Sequence, residues 1–255
     1  MAKIFENGKH ALICYLMGGD PTPEKSVEAA SAVLEEGADA LELGIPFSDP
    51  IADGPTIQAA SVRALKARVT PKTVFEQARF LSKHQKPIYL MTYLNPVLKM
   101  GYKEFAKSCV DSGVTGVIIP DLPVEYANEW IEEAQKNSLE TVFLCSPSTK
   151  SERIIKISEA STGFVYLVSV YGVTGARESL PSYTFDFVKR VRKLTQKPLA
   201  LGFGISTREH VKQAIEAGAS GVIVGSALVS KLTNPDWSEA LSQLRSLVRA
   251  LRDEL

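Results

Sequence analysis

Chemistry in this chain centres on a carboxylate set inside an apolar run. The run is Ala40-Leu41-Glu42-Leu43-Gly44, and its period-two alternation puts Leu41 and Leu43 on one face and Glu42 on the other. If the leucines pack outward, Glu42 points into a dry interior, where burial raises a carboxyl pKa toward the range useful for general acid and base work. A glutamate paired with an interior cation would satisfy the same pattern. The next segment, Ile45-Pro46-Phe47-Ser48-Asp49-Pro50-Ile51-Ala52-Asp53-Gly54-Pro55, adds Asp49 and Asp53. Asp-Pro and Asp-Gly-Pro are also ordinary turn and N-cap chemistry ahead of a helix starting near Thr56, so each aspartate has a structural and a functional reading.

A second constellation suits an anion. Three glycine-bearing segments follow apolar strands: Gly172-Val173-Thr174-Gly175, Gly202-Phe203-Gly204-Ile205-Ser206, and Gly225-Ser226 opening a short helix to about Lys231. Glycines let the backbone approach closely, and a helix N-terminus offers free N–H groups and positive potential, so the set reads as a phosphate site. Other chemistries lack their residues. Lys86 and Lys197 precede strands and Lys99 and Lys150 lie in loops, so no lysine stands where a Schiff base would form. The histidines, His10, His84 and His210, are scattered and give no metal set, and no Ser/His/Asp arrangement is legible. Carboxylates remain as the candidate catalytic groups, with no metal expected.

The elements that must position these residues follow a repeated joint, in which an amphipathic helix ends at glycine and a short strand begins within three residues. It occurs at Gly37, Gly113 and Gly218, and a second joint, Gln-Lys-Pro, occurs at 85–87 and 196–198. Strands are expected near 11–17, 40–43, 87–93, 116–119, 140–145, 164–169, 199–203 and 221–224, with helices between them. Eight alternating units imply an α/β fold with a closed (β/α)8 barrel and a site at the strand C-termini, with an open doubly wound sheet as the alternative. The last helix carries Leu241, Leu244, Val248, Leu251 and Leu255 at helical spacing. The longest irregular stretches, 44–55 and 170–182, both follow strands and so fall on the catalytic face.

Composition agrees. The 255 residues, 45% hydrophobic, fit one domain over 1–255. Lysine plus arginine equals aspartate plus glutamate at 29 each, so no positive field favours nucleic acid or an anionic membrane. No apolar run approaches a bilayer span, the first ten residues do not read as a secretory signal, and Cys14, Cys109 and Cys145 sit in apolar or helical patterns. A cytosolic chain with reduced, buried thiols is expected.

The stretch Leu41-Glu42-Leu43-Gly44-Ile45-Pro46-Phe47-Ser48-Asp49-Pro50-Ile51-Ala52-Asp53-Gly54-Pro55-Thr56-Ile57-Gln58 closely resembles the signature of the tryptophan synthase alpha chain family. Gly19-Asp20-Pro21, Asp121-Leu122-Pro123 and the three glycine segments extend the likeness over nearly the whole chain. The resemblance implies a TIM barrel that cleaves indole-3-glycerol phosphate to indole and glyceraldehyde 3-phosphate. It implies that Glu42 is the acid/base group and that Asp53 bonds the indole N–H. Phosphate would rest on Gly175, Gly204, Gly225 and Ser226, in segments that include Thr174, and Tyr15, Ile57, Met91, Tyr166 and Phe203 would line the indole pocket. It further implies a partner, the beta chain in an α2β2 assembly, met by Pro46, Phe47, Asp49, Asn95 and Pro96. The alpha chain would need no cofactor, with pyridoxal phosphate held by the beta chain. Tyr15 stands where phenylalanine is frequent in the family, Met17 where threonine is common, and Val170-Tyr171 replaces an arginine-bearing pair. Three rival functions share much of this pattern: a stand-alone indole-3-glycerol phosphate lyase, a sugar-phosphate isomerase or epimerase, and a weakly active activator of a partner.

Overall fold

A computed structural model of the chain describes residues 3–168, 181–202 and 204–255. Eight strands form one closed parallel barrel in sequence order. They are β1 Ala11–Met17, β2 Ala40–Gly44, β3 Ile88–Met91 and β4 Gly116–Ile118, then β5 Glu140–Cys145, β6 Val165–Val168, β7 Leu199–Gly202 and β8 Gly221–Val224. Closure is made by β1 on β8, in the register Ala11↔Gly221 through Cys14↔Val224. The open-sheet alternative therefore falls. Each expected strand is present, with β3 ending at Met91 rather than at 93.

Helices α1 Pro23–Glu35, α2 Pro55–Lys66 and α3 Pro71–Leu81 lie between the first three strands. Next come α4 Leu94–Met100, α5 Tyr102–Asp111, α6 Asn128–Lys136, α7 Ser151–Ala160, α8 Ser182–Arg192 and α9 Arg208–Glu216. The short α10, Ser226–Val229, and the long α11, Trp237–Arg252, follow β8. Local sequence explains their starts. Thr22 and Thr70 accept hydrogen bonds from the third amide beyond them, and proline follows each at the position where its missing N–H costs nothing. The joint glycines Gly37, Gly113 and Gly218 all take left-handed φ values, as the repeated joint predicts. On α11, Leu244, Val248 and Leu251 are buried, Leu241 packs at the margin, and Leu255 lies beyond the helix end. The three cysteines are buried and free.

The barrel interior is filled rather than hollow. Phe5, from a 3-10 turn over Lys3–Gly8 that the sequence reading did not anticipate, meets Phe164 edge-on, and Phe164 meets Tyr89 the same way. These rings plug the N-terminal end and leave the open space at the strand C-termini. Among the described residues no helix is long and apolar enough to cross a membrane.

Helix α2 is an addition to the regular unit, because α3 completes the passage from β2 to β3. It packs on β1 and α10, and so lies at the mouth. One ion pair pins it there: Arg63 donates from Nε to Asp20 Oδ1 at 2.6 Å and from a terminal nitrogen to Oδ2 at 2.9 Å, with Asp20 fully buried. Burial raises the Asp20 pKa and the guanidinium draws it back down. Removing one member of a buried pair costs about 3–5 kcal/mol because the other charge is left stranded. With Arg63 partly exposed, Arg63→Met is expected to lose stability near the lower end of that range in urea unfolding; a loss below about 1 kcal/mol would show that the pair is not holding α2.

Candidate active site

Glu42 sits in the third position of β2, opposite Tyr15 on β1 and Tyr89 on β3. It is 0% exposed, and both carboxyl oxygens are buried without a hydrogen-bond partner. Among the described residues no cation pairs with it, so none of them supports the barrel ion-pair reading of this residue. Burial is the main cause that lifts its pKa to about 8, and the nearby Asp53 charge adds to it. A carboxyl in this state carries its proton at neutral pH and can give it to a substrate atom.

Asp53 reaches the same space from the loop between β2 and α2 and is 5% exposed. Its N-cap reading does not hold either: Gly54 occupies the cap and Pro55 is the first helical residue. Burial raises the Asp53 pKa to about 6, against a hydrogen bond from the Tyr93 hydroxyl that lowers it. The loop is held by side chains that flank it. Tyr93 also accepts from the Ala52 amide at 3.0 Å, and its ring stacks on Phe47 with centroids 5.2 Å apart. Ser61 of α2 accepts from the Phe47 amide at 2.9 Å and donates to the Phe47 carbonyl at 2.8 Å. Gln58 donates to the Asp53 carbonyl at 2.9 Å. The two carboxyls thus have pKa values pushed to either side of neutrality, an arrangement that separates a proton donor from an anion.

A hydrogen bond to a charged group contributes about 1.5–3 kcal/mol, and this one favours ionised Asp53. Tyr93→Phe is therefore expected to move the acid limb of the kcat/KM profile to higher pH and to lower kcat/KM about 10-fold. An acid limb that stays in place would remove Tyr93 from this role.

Around the carboxyls lies a cavity of about 510 Å³, counted with its open entrance. Tyr15, Ile57, Met91, Tyr166 and Ile223 give it apolar walls, and Gly54, Gly204, Gly225 and Ser226 complete the lining. The tyrosine rings lie tight against glycines. A Cβ on Gly44 would strike the Tyr15 hydroxyl and one on Gly202 would meet the Tyr166 ring at 2.5 Å, so these strand ends must be bare for the rings to line the cavity. Gly225 and Ser226 form the start of α10, directly after β8, which is separated from β2 by β1 alone. The space thus brings together two carboxyls, apolar and aromatic walls, and glycine-bearing backbone. Among the described residues no group of three or more His, Cys, Asp or Glu side chains is placed to hold a metal ion.

Comparison with known proteins gives the family. The family described as "Tryptophan synthase alpha chain" matches residues 1–254. The tryptophan synthase alpha chain of Pyrococcus abyssi is 47% identical, over 97% of this chain and 99% of that one. This chain belongs to the tryptophan synthase alpha chain family. A structure of tryptophan synthase from Mycobacterium tuberculosis superposes with a TM-score of 0.91 at 38% identity, over 98% of this chain and 96% of that one. One from Pyrococcus furiosus, described as an α2β2 complex, gives 0.90 at 44% identity, over 95% and 98%.

As a tryptophan synthase alpha chain family member, the chain brings nine of the residues singled out by sequence into one cavity: Glu42, Asp53, Tyr15, Ile57, Met91, Tyr166, Gly204, Gly225 and Ser226. Thr174, Gly175 and Phe203 lie outside the described residues. The residues expected to meet a partner differ in exposure. Pro46 is buried, and Phe47 is half-buried on Tyr93 rather than presented to solvent, because Tyr93 supplies the stacking surface. Asp49 is exposed. Asn95 and Pro96 belong to the first turn of α4; Asn95 is exposed, and the Asp121 carboxylate accepts from the Leu94 amide at 2.8 Å to cap that helix. Tyr93, Ser61, Gly54 and Ile223 were not foreseen. Tyr93 and Ile223 were within reach of the strand pattern, since both stand at or just beyond strand C-termini, which face the mouth.

Proposed function

We propose that this chain is the alpha subunit of a tryptophan synthase, a lyase that performs retro-aldol cleavage of indole-3-glycerol phosphate to indole and glyceraldehyde 3-phosphate. The observation that carries the reading is Glu42, a buried carboxyl without a hydrogen-bond partner and with a raised pKa, which shares a cavity with a more acidic carboxylate. The Glu42 proton goes to C3 of the indole ring, and positive charge spreads to the ring nitrogen. Asp53 accepts the hydrogen bond of that N–H and stabilises the cation. The Glu42 carboxylate then takes the proton of the hydroxyl on the adjacent side-chain carbon; a C=O forms there, and the C–C bond electrons return to the ring. Glu42 ends protonated, ready for the next turnover, and both products leave with balanced atoms.

The apolar walls suit the indole, and the backbone at Gly204, Gly225 and Ser226 suits the phosphate, a role that the family resemblance extends to Thr174 and Gly175. A sugar-phosphate isomerase would have no use for walls built from Tyr15, Ile57, Met91 and Tyr166. The chain itself needs no cofactor on this reading. Pyridoxal phosphate belongs to the beta chain, which consumes the indole, and the complex is cytoplasmic.

The partner is the beta chain, in an α2β2 assembly. In support, the connections that follow β2, β3 and β4 carry large apolar side chains in solvent: Ile51 at 74%, Leu98 at 54% and Tyr126 at 80% exposure. They flank Asp49 and Asn95. Pro46, Phe47 and Pro96 act behind this rim, shaping the loop rather than forming most of the contact. Asp49→Ala is expected to weaken beta-chain binding about 5–10-fold, within the usual range of coupling energies, and to leave the isolated chain's turnover nearly unchanged. Titrating beta chain into wild type and mutant while following cleavage tests this. Equal midpoints and equal activation would remove Asp49 from the interface, and no activation of wild type would favour the stand-alone lyase.

A further inference from the structure

We propose that His210 is a positioning residue for the phosphate-binding loop after β7, an inference that rests on the reading of Gly204 as a phosphate contact. The sequence Ser206-Thr207-Arg208-Glu209-His210 runs from this loop into the first turn of α9. Thr207 is the N-cap, and its hydroxyl oxygen accepts from the His210 amide at 3.2 Å. The His210 side chain then reaches back, and its Nδ1 accepts from the Ser206 amide at 3.3 Å. This has the logic of a capping box, in which the third helical residue returns a hydrogen bond to the chain before the helix. Here the acceptor is a ring in place of a flexible glutamate.

The ring is a firm anchor. His210 is 3% exposed and stands on the buried face of α9 with Val211 and Ala214. For Nδ1 to accept, the imidazole is neutral with its proton on Nε2. On the other side of the bond, Ser206 follows the buried Ile205, which follows Gly204 on the cavity wall. Gly204 holds a left-handed φ of +88°. Without an anchor, a glycine in that conformation can swing its peptide planes at little cost. Fixing the Ser206 amide two residues downstream, with Ile205 buried between, limits the swing of the Gly204–Ile205 peptide plane and so of the backbone that leaves the cavity wall. A loop ordered before binding loses less freedom when phosphate arrives, so the gain appears in affinity.

The test compares His210→Asn, His210→Gln and His210→Leu with wild type in steady-state cleavage of indole-3-glycerol phosphate, with glycerol 3-phosphate and glycerol as competing probes. Asparagine keeps an acceptor at the Nδ1 position, whereas glutamine keeps one only near Nε2. The expected result is that His210→Gln and His210→Leu raise KM and the inhibition constant of glycerol 3-phosphate about 3–10-fold, the range set by one hydrogen bond. Inhibition by glycerol and kcat should stay within about twofold, and His210→Asn should restore wild-type values. If His210→Leu does not fold, the contrast between asparagine and glutamine decides the matter. Equal behaviour of those two variants, or parallel loss of kcat and affinity, would overturn the proposal. If glycerol 3-phosphate inhibits the wild type no better than glycerol, it is the phosphate reading itself that fails.

Discussion

Replacing Glu42 with glutamine is expected to lower kcat/KM for indole-3-glycerol phosphate by about 10²–10⁴-fold, the usual contribution of a positioned acid or base. The substitution keeps the size of the side chain and removes the proton that, in the proposed mechanism, reaches the ring carbon. Its effect on folding should have the opposite sign. Glu42 has a folded pKa of about 8, above the ordinary value of 4.5. The folded state therefore holds a proton that the unfolded chain releases, so its contribution to stability is complete below about 4.5 and is lost as pH rises through 8. Glutamine has no such dependence, so the Tm of Glu42→Gln relative to wild type should climb between pH 5 and 9. A variant at least as stable as wild type and still inactive separates chemistry from unfolding. Activity within about threefold of wild type would assign the proton transfer to another group.

Asp53→Asn should be nearly as damaging, with about a 10²–10³-fold loss, the effect seen when one electrostatic stabiliser of a developing charge is removed. Its pH signature is more informative than its size. In the wild type, free enzyme is competent when Asp53 is ionised, which fails as pH falls through about 6, and when Glu42 is protonated, which fails as pH rises through about 8. kcat/KM should therefore follow a bell between those values, whose limbs belong to the interacting pair rather than to either group alone. Asparagine removes the acid limb. It also removes the charge that helps hold Glu42 protonated, so the alkaline limb should move to lower pH. An alkaline limb that does not move would mean that the two groups are not coupled in the working site.

Much of this site was legible in the sequence because barrels translate pattern into place. Alternation in Ala40–Gly44 fixed the face of Glu42, and the recurrent glycine joint fixed the strand count, after which the strand ends had to converge. The fates of Asp49 and Asp53 were not readable from their own neighbourhood, since both stand in turn chemistry. What separates them is Tyr93, a residue from the next unit, which hydrogen-bonds to Asp53 and stacks on Phe47 while Asp49 stays in solvent. The same long-range contact withdrew Phe47 from the rim. Likewise, the helix that begins at Leu94 is capped from afar, by Asp121. His210 looked like an ordinary helix residue until the loop before it was seen to return to its ring. Periodicity locates elements; contacts between connections decide which polar residue works and which one only turns the chain.

The most direct test of the account is to incubate the purified chain with indole-3-glycerol phosphate, alone and with a tryptophan synthase beta chain, and to assay indole and glyceraldehyde 3-phosphate together. The account predicts both products in equal amounts from the chain alone, faster release when beta chain is present, and a rate from Glu42→Gln at least about 100-fold below wild type under either condition. Absence of indole from the wild type, or indole from Glu42→Gln at a rate near that of wild type, would contradict it.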